Sequence, residues 1–160
     1  MTPKNNVTRF LDAKGVEYST HELPGEKMGA LQAAAYLEIA AELMYKTIVI
    51  KRPGRKNPVL AVVPGTGEVD LKALSRHLGE KKVQTTSQRE AEELTGLQSG
   101  GISPLALLHK NFSVVVDESA LHHAQIYISG GQIGLTIQLA ATALIHLTEA
   151  KTAQISISLV

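Results

Sequence analysis

Tyr45-Lys46-Thr47-Ile48-Val49-Ile50 and, a short way on, Val59-Leu60-Ala61-Val62-Val63 are two runs dominated by β-branched and aliphatic residues. Between them lie Pro53-Gly54 and Asn57-Pro58, breaker pairs that mark a turn. Runs of this length and composition read as strands, and the breakers make them a hairpin. Just before the first run, Leu31 to Leu43 is rich in Ala and apolar over much of its surface, which predicts a well-buried helix. A helix feeding a hairpin breaks the regular strand–helix–strand alternation that a doubly wound parallel sheet requires.

The flanks extend the same picture. Toward the N-terminus, Val16 to Leu23 alternates and reads as a strand with Val16, Tyr18 and Thr20 on one side. Before it, Thr2-Pro3 opens a predicted helix, Val7, Phe10 and Leu11 share its apolar face, and Gly15 ends it. Toward the C-terminus, Asp70 caps a helix that runs to Leu78 and closes at Gly79. Lys82 to Thr85 is a short strand, and Ser87 with Glu90 has capping-box spacing for a helix ending near Gly96. Ser99 to Pro104 holds too many breakers for regular structure. Strands follow at 113–116, 126–129 and 135–139, then a short helix over 141–147 and a last strand near 153–157. About seven strands among five helices give an α+β class: a mixed, curved or barrel-like sheet with helices outside, in a single domain over residues 1–160.

Of the 160 residues, 44% are hydrophobic and 19% charged, enough for a packed core. There is no Cys, which excludes a disulfide framework, a thiolate nucleophile and a Cys-based zinc site. No apolar run approaches the ~20 residues of a membrane span, and the N-terminus is amphipathic where a signal peptide would be apolar. A soluble, cytoplasmic protein is expected. The net charge of +1 is unevenly spread. Residues 43–82 carry +6, against −2 before and −3 after, and Leu43 to Gly67 contains no carboxylate. Lys46, Lys51, Arg52, Arg55 and Lys56 all fall there. Such a zone suits a polyanionic ligand; it equally suits a solvated hairpin tip that discourages edge-to-edge pairing.

Most familiar chemistries find no support. His122 and His123 are adjacent, so their side chains diverge, and no His-Glu-x-x-His is present. No metal and no cofactor are expected. Gly65-Thr66-Gly67 lacks a third glycine, and there is no Walker spacing. Ser103 is followed by Pro104 and then Leu105, where a nucleophile elbow would need glycine. Two features remain. Lys46, near the start of an apolar strand, is either an edge charge in water or an ammonium held in a cleft, where it would grip a phosphate. Gly100-Gly101-Ile102-Ser103-Pro104 is either a tight connector or a loop whose N–H groups form a nest for an oxygen. Tyr18 is read as a core residue or as a ligand contact.

Taken in order, these segments resemble the YbaK/EbsC domains, also found as the editing insertion of bacterial prolyl-tRNA synthetases. The resemblance is carried by Tyr45-Lys46-Thr47-Ile48-Val49, Ala61 to Pro64, Val69 to Leu74, Leu78 to Val83, Thr95-Gly96, Gly100 to Leu105, Val116-Asp117-Glu118, Ile126 to Gly130 and Gly134-Leu135. It implies a mixed sheet rolled into a barrel with surrounding helices. It also implies a trans-acting hydrolase that cleaves the ester of mischarged aminoacyl-tRNA, by default Cys-tRNA(Pro), sometimes in a ternary complex with prolyl-tRNA synthetase. In family terms Lys46 matches the essential lysine and Thr47 its neighbour in the pocket. Tyr18 matches the strand tyrosine that lines the site. Gly100, Gly101, Ile102, Ser103 and Pro104 match the loop that borders the aminoacyl group. Met28 stands where an aromatic residue is common, and Thr136 and Gln138 stand about where relatives carry Asp and Glu. Ala30, Leu31 and Gln32 replace usual acidic residues, Ala106 a common glycine, and Phe112-Ser113 a usual Leu-Pro pair. A less acidic, reshaped pocket follows, with Met28 and Thr136 in contact with substrate. The rival readings are a tRNA- or synthetase-binding module of the same fold without turnover, and a hydrolase of a small nucleotide or ester.

Overall fold

The computed structural model describes residues 4–159. Its elements in chain order are α1 (Asn6–Ala13), β1 (Tyr18–Glu22), α2 (Ala30–Leu37), β2 (Tyr45–Lys51), β3 (Val59–Pro64), β4 (Gly67–Val69), α3 (Leu71–Leu78) and β5 (Gln84–Thr85). There follow α4 (Gln88–Thr95), β6 (Ser113–Asp117), β7 (Gln125–Ser129), β8 (Leu135–Ala140), α5 (Ala141–Thr148), β9 (Lys151–Ala153) and β10 (Ser156–Ser158).

Local chemistry sets the helix ends. Asp70 accepts the Ala73 N–H at 3.0 Å to start α3, which stops at Gly79 with φ 71°. Ser87 and Glu90 form the reciprocal box that opens α4, and Gly96 closes it. The predicted Thr2-Pro3 start of the first helix lies outside the described residues. The cap is Asn5, whose side chain accepts from Thr8 N at 2.9 Å while Thr8 Oγ1 accepts from Asn5 N. The helix predicted over 31–43 is shorter: Glu38 adopts a left-handed φ of 58° and ends it, and a separate 3-10 turn covers Ala41–Leu43. Nor is it deeply buried. Ala33 and Ala34 let it lie close against its neighbours, while Leu31 and Tyr36 point away, each 55% exposed.

The class is α+β, but the strands form three sheets among the described residues and close no barrel. The central sheet has the order β5-β2-β3-β6-β9, with β2 antiparallel to β3 and β3 parallel to β6. A second, antiparallel sheet runs β1-β8-β7, and β4 pairs with β10 in a two-stranded ribbon. The short β4 was not expected. The last predicted strand divides into β9 and β10 around Ile155, whose N–H turns inward to the Asp117 carboxylate at 2.8 Å. β3 is buried on both faces, which explains its unbroken apolar run. Leu60 and Val62 join Val114, Val116, Ile128, Ile137 and Leu139 on one side. Val59, Ala61 and Val63 join Val115, Leu74 and Ile155 on the other.

The basic β2–β3 loop is largely neutralised from within. Lys51 pairs with Glu90 at 2.8 Å, Arg52 with Glu80 at 3.2 Å, and Lys56 also with Glu80. Among the described residues Arg55 is the tip cation without a carboxylate partner. The Lys56 hydrogen bond, with further help from Arg52, holds the Glu80 carboxyl below its ordinary value of 4.5. A folded-state value below the unfolded one gives stability that is present above pH 4.5 and lost as pH falls through the folded value. Glu80→Gln is therefore expected to be less stable than wild type at pH 7, with the gap closing on acidification. Urea unfolding at pH 7, 5 and 3.5 measures this; a gap that does not change with pH would mean that the pairing contributes nothing.

Candidate functional site

Four segments enclose a cavity of about 300 Å³. They are the first half of β2, the turn from Leu23 into the start of α2, the loop from Ser99 to Ile102, and the turn from Ser129 to Thr136 joining β7 to β8. The β2 end of the cavity is anchored in the core. Tyr45 is buried and its hydroxyl shares a 2.7 Å hydrogen bond with Ser119 Oγ. Burial pushes its phenol up, with Asp117 adding to the rise and the Ser119 bond opposing it. Lys46 comes next, half-buried and paired along the backbone with Val63. Among the described residues its ammonium has no hydrogen bond and no counter-ion. Lys46 lines the cavity at a stretch of β2 that β5 does not reach.

The loops are fastened to one another. Gly100 has φ +93°, a conformation other residues rarely adopt. At Gly101 a Cβ would sit 3.0 Å from Gln132 Cα, so a side chain there would have to push the two loops apart by a few tenths of an ångström. Ser129 Oγ donates to Gly100 O and accepts from Gly131 N, each at 3.3 Å. Asn5 Nδ2 adds bonds to Gly130 O and Gln132 Oε1. Gly101 N is occupied by Gln98 O at 2.8 Å, and Ser99 N by the Glu92 carboxylate. The Gly100 and Ile102 N–H groups, on cavity-lining residues, have no protein partner among the described residues. They are free to hold an oxygen.

The structure brings together six of the ten residues singled out in the sequence: Lys46, Thr47, Met28, Gly100, Ile102 and Thr136 line the cavity. Thr136 is only 3% exposed and its hydroxyl makes no hydrogen bond to the protein. The other four lie apart. Gly101 backs the loop against Gln132. Ser103 is fully buried, and its Oγ accepts from Leu105 N at 3.2 Å. Pro104 begins a 3-10 turn and lines a separate groove. Tyr18 is paired with Leu139, three residue pairs along from the His21–Thr136 pair, so roughly 10 Å away. Its hydroxyl donates to Asp12 at 2.8 Å outside the cavity, and desolvation together with that bond raises it. Lys27, Met44, Ser129 and Ile133 also line the cavity and carried no expectation. A sequence signal existed for the last two, since Gly130, Gly131 and Gly134 mark a tight turn around Ile133.

The lining holds two cations, Lys27 and Lys46, one carboxylate, the exposed Glu26, and the hydroxyls of Thr47, Ser99, Ser129 and Thr136. No His lines the cavity: His21, opposite Thr136 across β1 and β8, turns its ring to Gln138 Oε1 at 2.9 Å and to Tyr127. Among the described residues no three His, Asp or Glu converge as metal ligands, and no helix is long and apolar enough to cross a membrane. The cavity can grip an anion at Lys46 and hold a carbonyl oxygen at the loop, next to a small space of mostly apolar wall.

Comparison with known proteins agrees with that chemistry. Residues 25–147 match the family model described as the aminoacyl-tRNA editing domain. An Enterococcus faecalis protein named "Putative Cys-tRNA(Pro)/Cys-tRNA(Cys) deacylase EbsC" is 33% identical over 155 residues, covering 96% of this chain and 93% of that one. The multifunctional Ser/Thr-tRNA deacylase ProXp-y of Escherichia coli K12 is 30% identical over 112 residues, or 68% of this chain and 65% of its own. Among solved structures, a hypothetical protein superimposes with a TM-score of 0.88 over 96% of this chain and all of its own, at 24% identity. Another, described as a "putative trans-editing enzyme for prolyl tRNA synthetase", gives 0.80 over 98% of this chain and all of its own, also at 24% identity. At that identity the two structures speak for the fold. The family model and the curated relatives settle the kinship: the chain belongs to the aminoacyl-tRNA editing domain family.

Proposed function

We propose that this protein is a trans-acting deacylase that hydrolyses the ester of mischarged aminoacyl-tRNA, with Cys-tRNA(Pro) as the default substrate. The observation that carries the reading is the uncompensated ammonium of Lys46 in the wall of a cavity of about 300 Å³. A half-buried cation without a counter-ion is costly unless a ligand supplies the negative charge. An aminoacyl-tRNA end supplies it, as the phosphate beside the terminal ribose. With Lys46 on that phosphate, the ester carbonyl lies toward the free N–H groups of Gly100 and Ile102, which would stabilise the oxyanion as it forms. A water oxygen then bonds to the carbonyl carbon, the bond from that carbon to the ribose oxygen breaks, and a proton passes to the ribose. Water is the attacking group, and a neighbouring substrate hydroxyl can orient it and relay its proton to the ribose oxygen, so no Ser-His-Asp set is needed.

The cavity is small and lacks a buried carboxylate, which favours a small uncharged side chain. The names of the relatives point to Cys-tRNA and to Ser- and Thr-tRNA, whose amino acids are small and uncharged. In the cytoplasm, delivery by prolyl-tRNA synthetase is part of the same proposal. The test is a panel of Cys-, Ala-, Ser- and Pro-tRNA(Pro). Cys-tRNA(Pro) is expected to be cleaved fastest and Pro-tRNA(Pro) spared. Tight tRNA binding with no cleavage of any member would replace the enzyme reading with a binding module, and cleavage of small esters independent of tRNA would replace the substrate class.

A further inference from the structure

The chain has two phenylalanines, and both Phe10 and Phe112 line one groove away from the catalytic cavity. Its volume is about 1000 Å³, and it runs between the end of α1, the segment 107–112 and the end of α5. Lys14, Lys110 and Lys151 stand on its rim with His146, against a single carboxylate, Glu149. All three lysines are exposed, and among the described residues none has an ion pair. Lys14 Nζ lies 5.8 Å from the centroid of the Phe10 ring.

We propose that this groove is a second tRNA-binding surface, taking the phosphates of the acceptor end on its lysines and a base against the half-buried ring of Phe112. The identity of the RNA rests on the deacylase reading above. Three cations without ion pairs beside two half-buried aromatic rings, Phe10 already under Lys14, are the ingredients of sequence-tolerant nucleic-acid binding: cations track the backbone and an aromatic ring stacks on a base. The β2–β3 loop, where the sequence concentrates positive charge, offers less, because Glu80 and Glu90 already answer three of its four cations. Position also favours the groove. One short segment walls both sites, with Ile102 in the catalytic cavity and Pro104 in the groove. α1 spans from Asn5, bonded to Gly130 at the cavity rim, to Lys14 at the groove. Those nine residues of helical rise make roughly 14 Å, about four stacked nucleotides at 3.4 Å each. A strand whose end occupies the cavity can therefore reach the groove.

The test compares wild type, a triple variant (Lys14→Gln, Lys110→Gln, Lys151→Gln) and a loop control (Lys51→Gln, Lys56→Gln). Binding of an uncharged, fluorescently labelled tRNA is measured by anisotropy between about 50 and 200 mM salt, the range over which phosphate contacts weaken steeply. The triple variant is expected to lose affinity roughly tenfold or more at the low-salt end, and its log K against log salt slope to flatten by about two to three. The loop control should match wild type. With circular dichroism showing all three proteins folded, kcat at saturating aminoacyl-tRNA should be the same for all three, while KM for aminoacyl-tRNA rises in the triple variant alone. Wild-type affinity and slope in the triple variant would overturn the proposal. So would a triple variant that keeps tRNA but loses binding to polyglutamate, which would assign the groove to an acidic protein segment. A wild-type protein that hydrolyses nothing sinks the deacylase reading and leaves the anisotropy result to decide the groove.

Discussion

Lys46→Ala is expected to lower kcat/KM for ester cleavage by about 10²–10³-fold, the loss typical when one electrostatic contact to the reacting group is removed, and to leave the protein as stable as wild type or more so. The second half of that expectation makes the first informative. Lys46 has no carboxylate partner among the described residues, so its removal orphans nothing. A half-buried charge without a partner weakens the fold, and functional sites commonly carry such a cost. Lys46→Arg keeps the charge but brings a larger, planar head into a cavity of about 300 Å³, and should recover only part of the activity. Deacylation assays beside thermal unfolding of the same samples separate the two effects. Unchanged hydrolysis in Lys46→Ala would remove the lysine from the mechanism, and a large fall in Tm would show a structural role instead.

Asp117→Ala should have the opposite profile, a large loss of stability from a residue outside the cavity. Asp117 is 2% exposed at the end of β6. One carboxylate oxygen accepts the Ile155 N–H at 2.8 Å and the other the Ser119 N–H at 3.3 Å. Ile155 is itself fully buried, so truncation to alanine leaves its N–H without an acceptor. Hydrogen bonds to charged groups and orphaned buried donors together imply about 2–4 kcal/mol. For a chain of this size that is a fall in Tm of roughly 4–16 °C. Asp117→Asn keeps one acceptor toward Ile155 and should lose about half as much. Urea denaturation measures both; a loss under about 1 kcal/mol in the alanine variant would mean that water replaces the carboxylate.

What could be read in the sequence was what neighbouring residues decide among themselves. Asp70 with Gly79, and Ser87 with Glu90 and Gly96, delimit their helices because caps act over three or four residues. The β-rich run of β3 announced a strand of a hairpin, while its burial on both faces emerged only from the fold. Lys46 and the Gly100 loop stood out because an ammonium in an apolar strand and a pair of glycines are locally odd. Tyr18 misled, since its strand was recognised correctly but its distance from the cavity is set by its register against β8. The division into three sheets and the outward face of α2 likewise depend on long-range pairing. Charge misled most instructively. A window along the chain finds Lys51 to Lys56, which the fold neutralises, and misses Lys14, Lys110 and Lys151, which the fold brings together from three distant segments.

The pairing of β1 also sets a timetable for the nascent chain. About 120 residues separate Tyr18 from Leu139, its partner on β8, the one strand with which β1 forms a sheet among the described residues. At roughly 5–20 residues per second, a ribosome needs some 6–24 s to deliver that partner after β1 has been made. Until then β1 is an unpaired edge. Over the same interval the Asn5 side chain that fastens α1 lacks its acceptor at Gly130. The N-terminal segment therefore leaves the ribosome early and locks late, which makes the interval before residue 140 the one in which a holdase has most to protect.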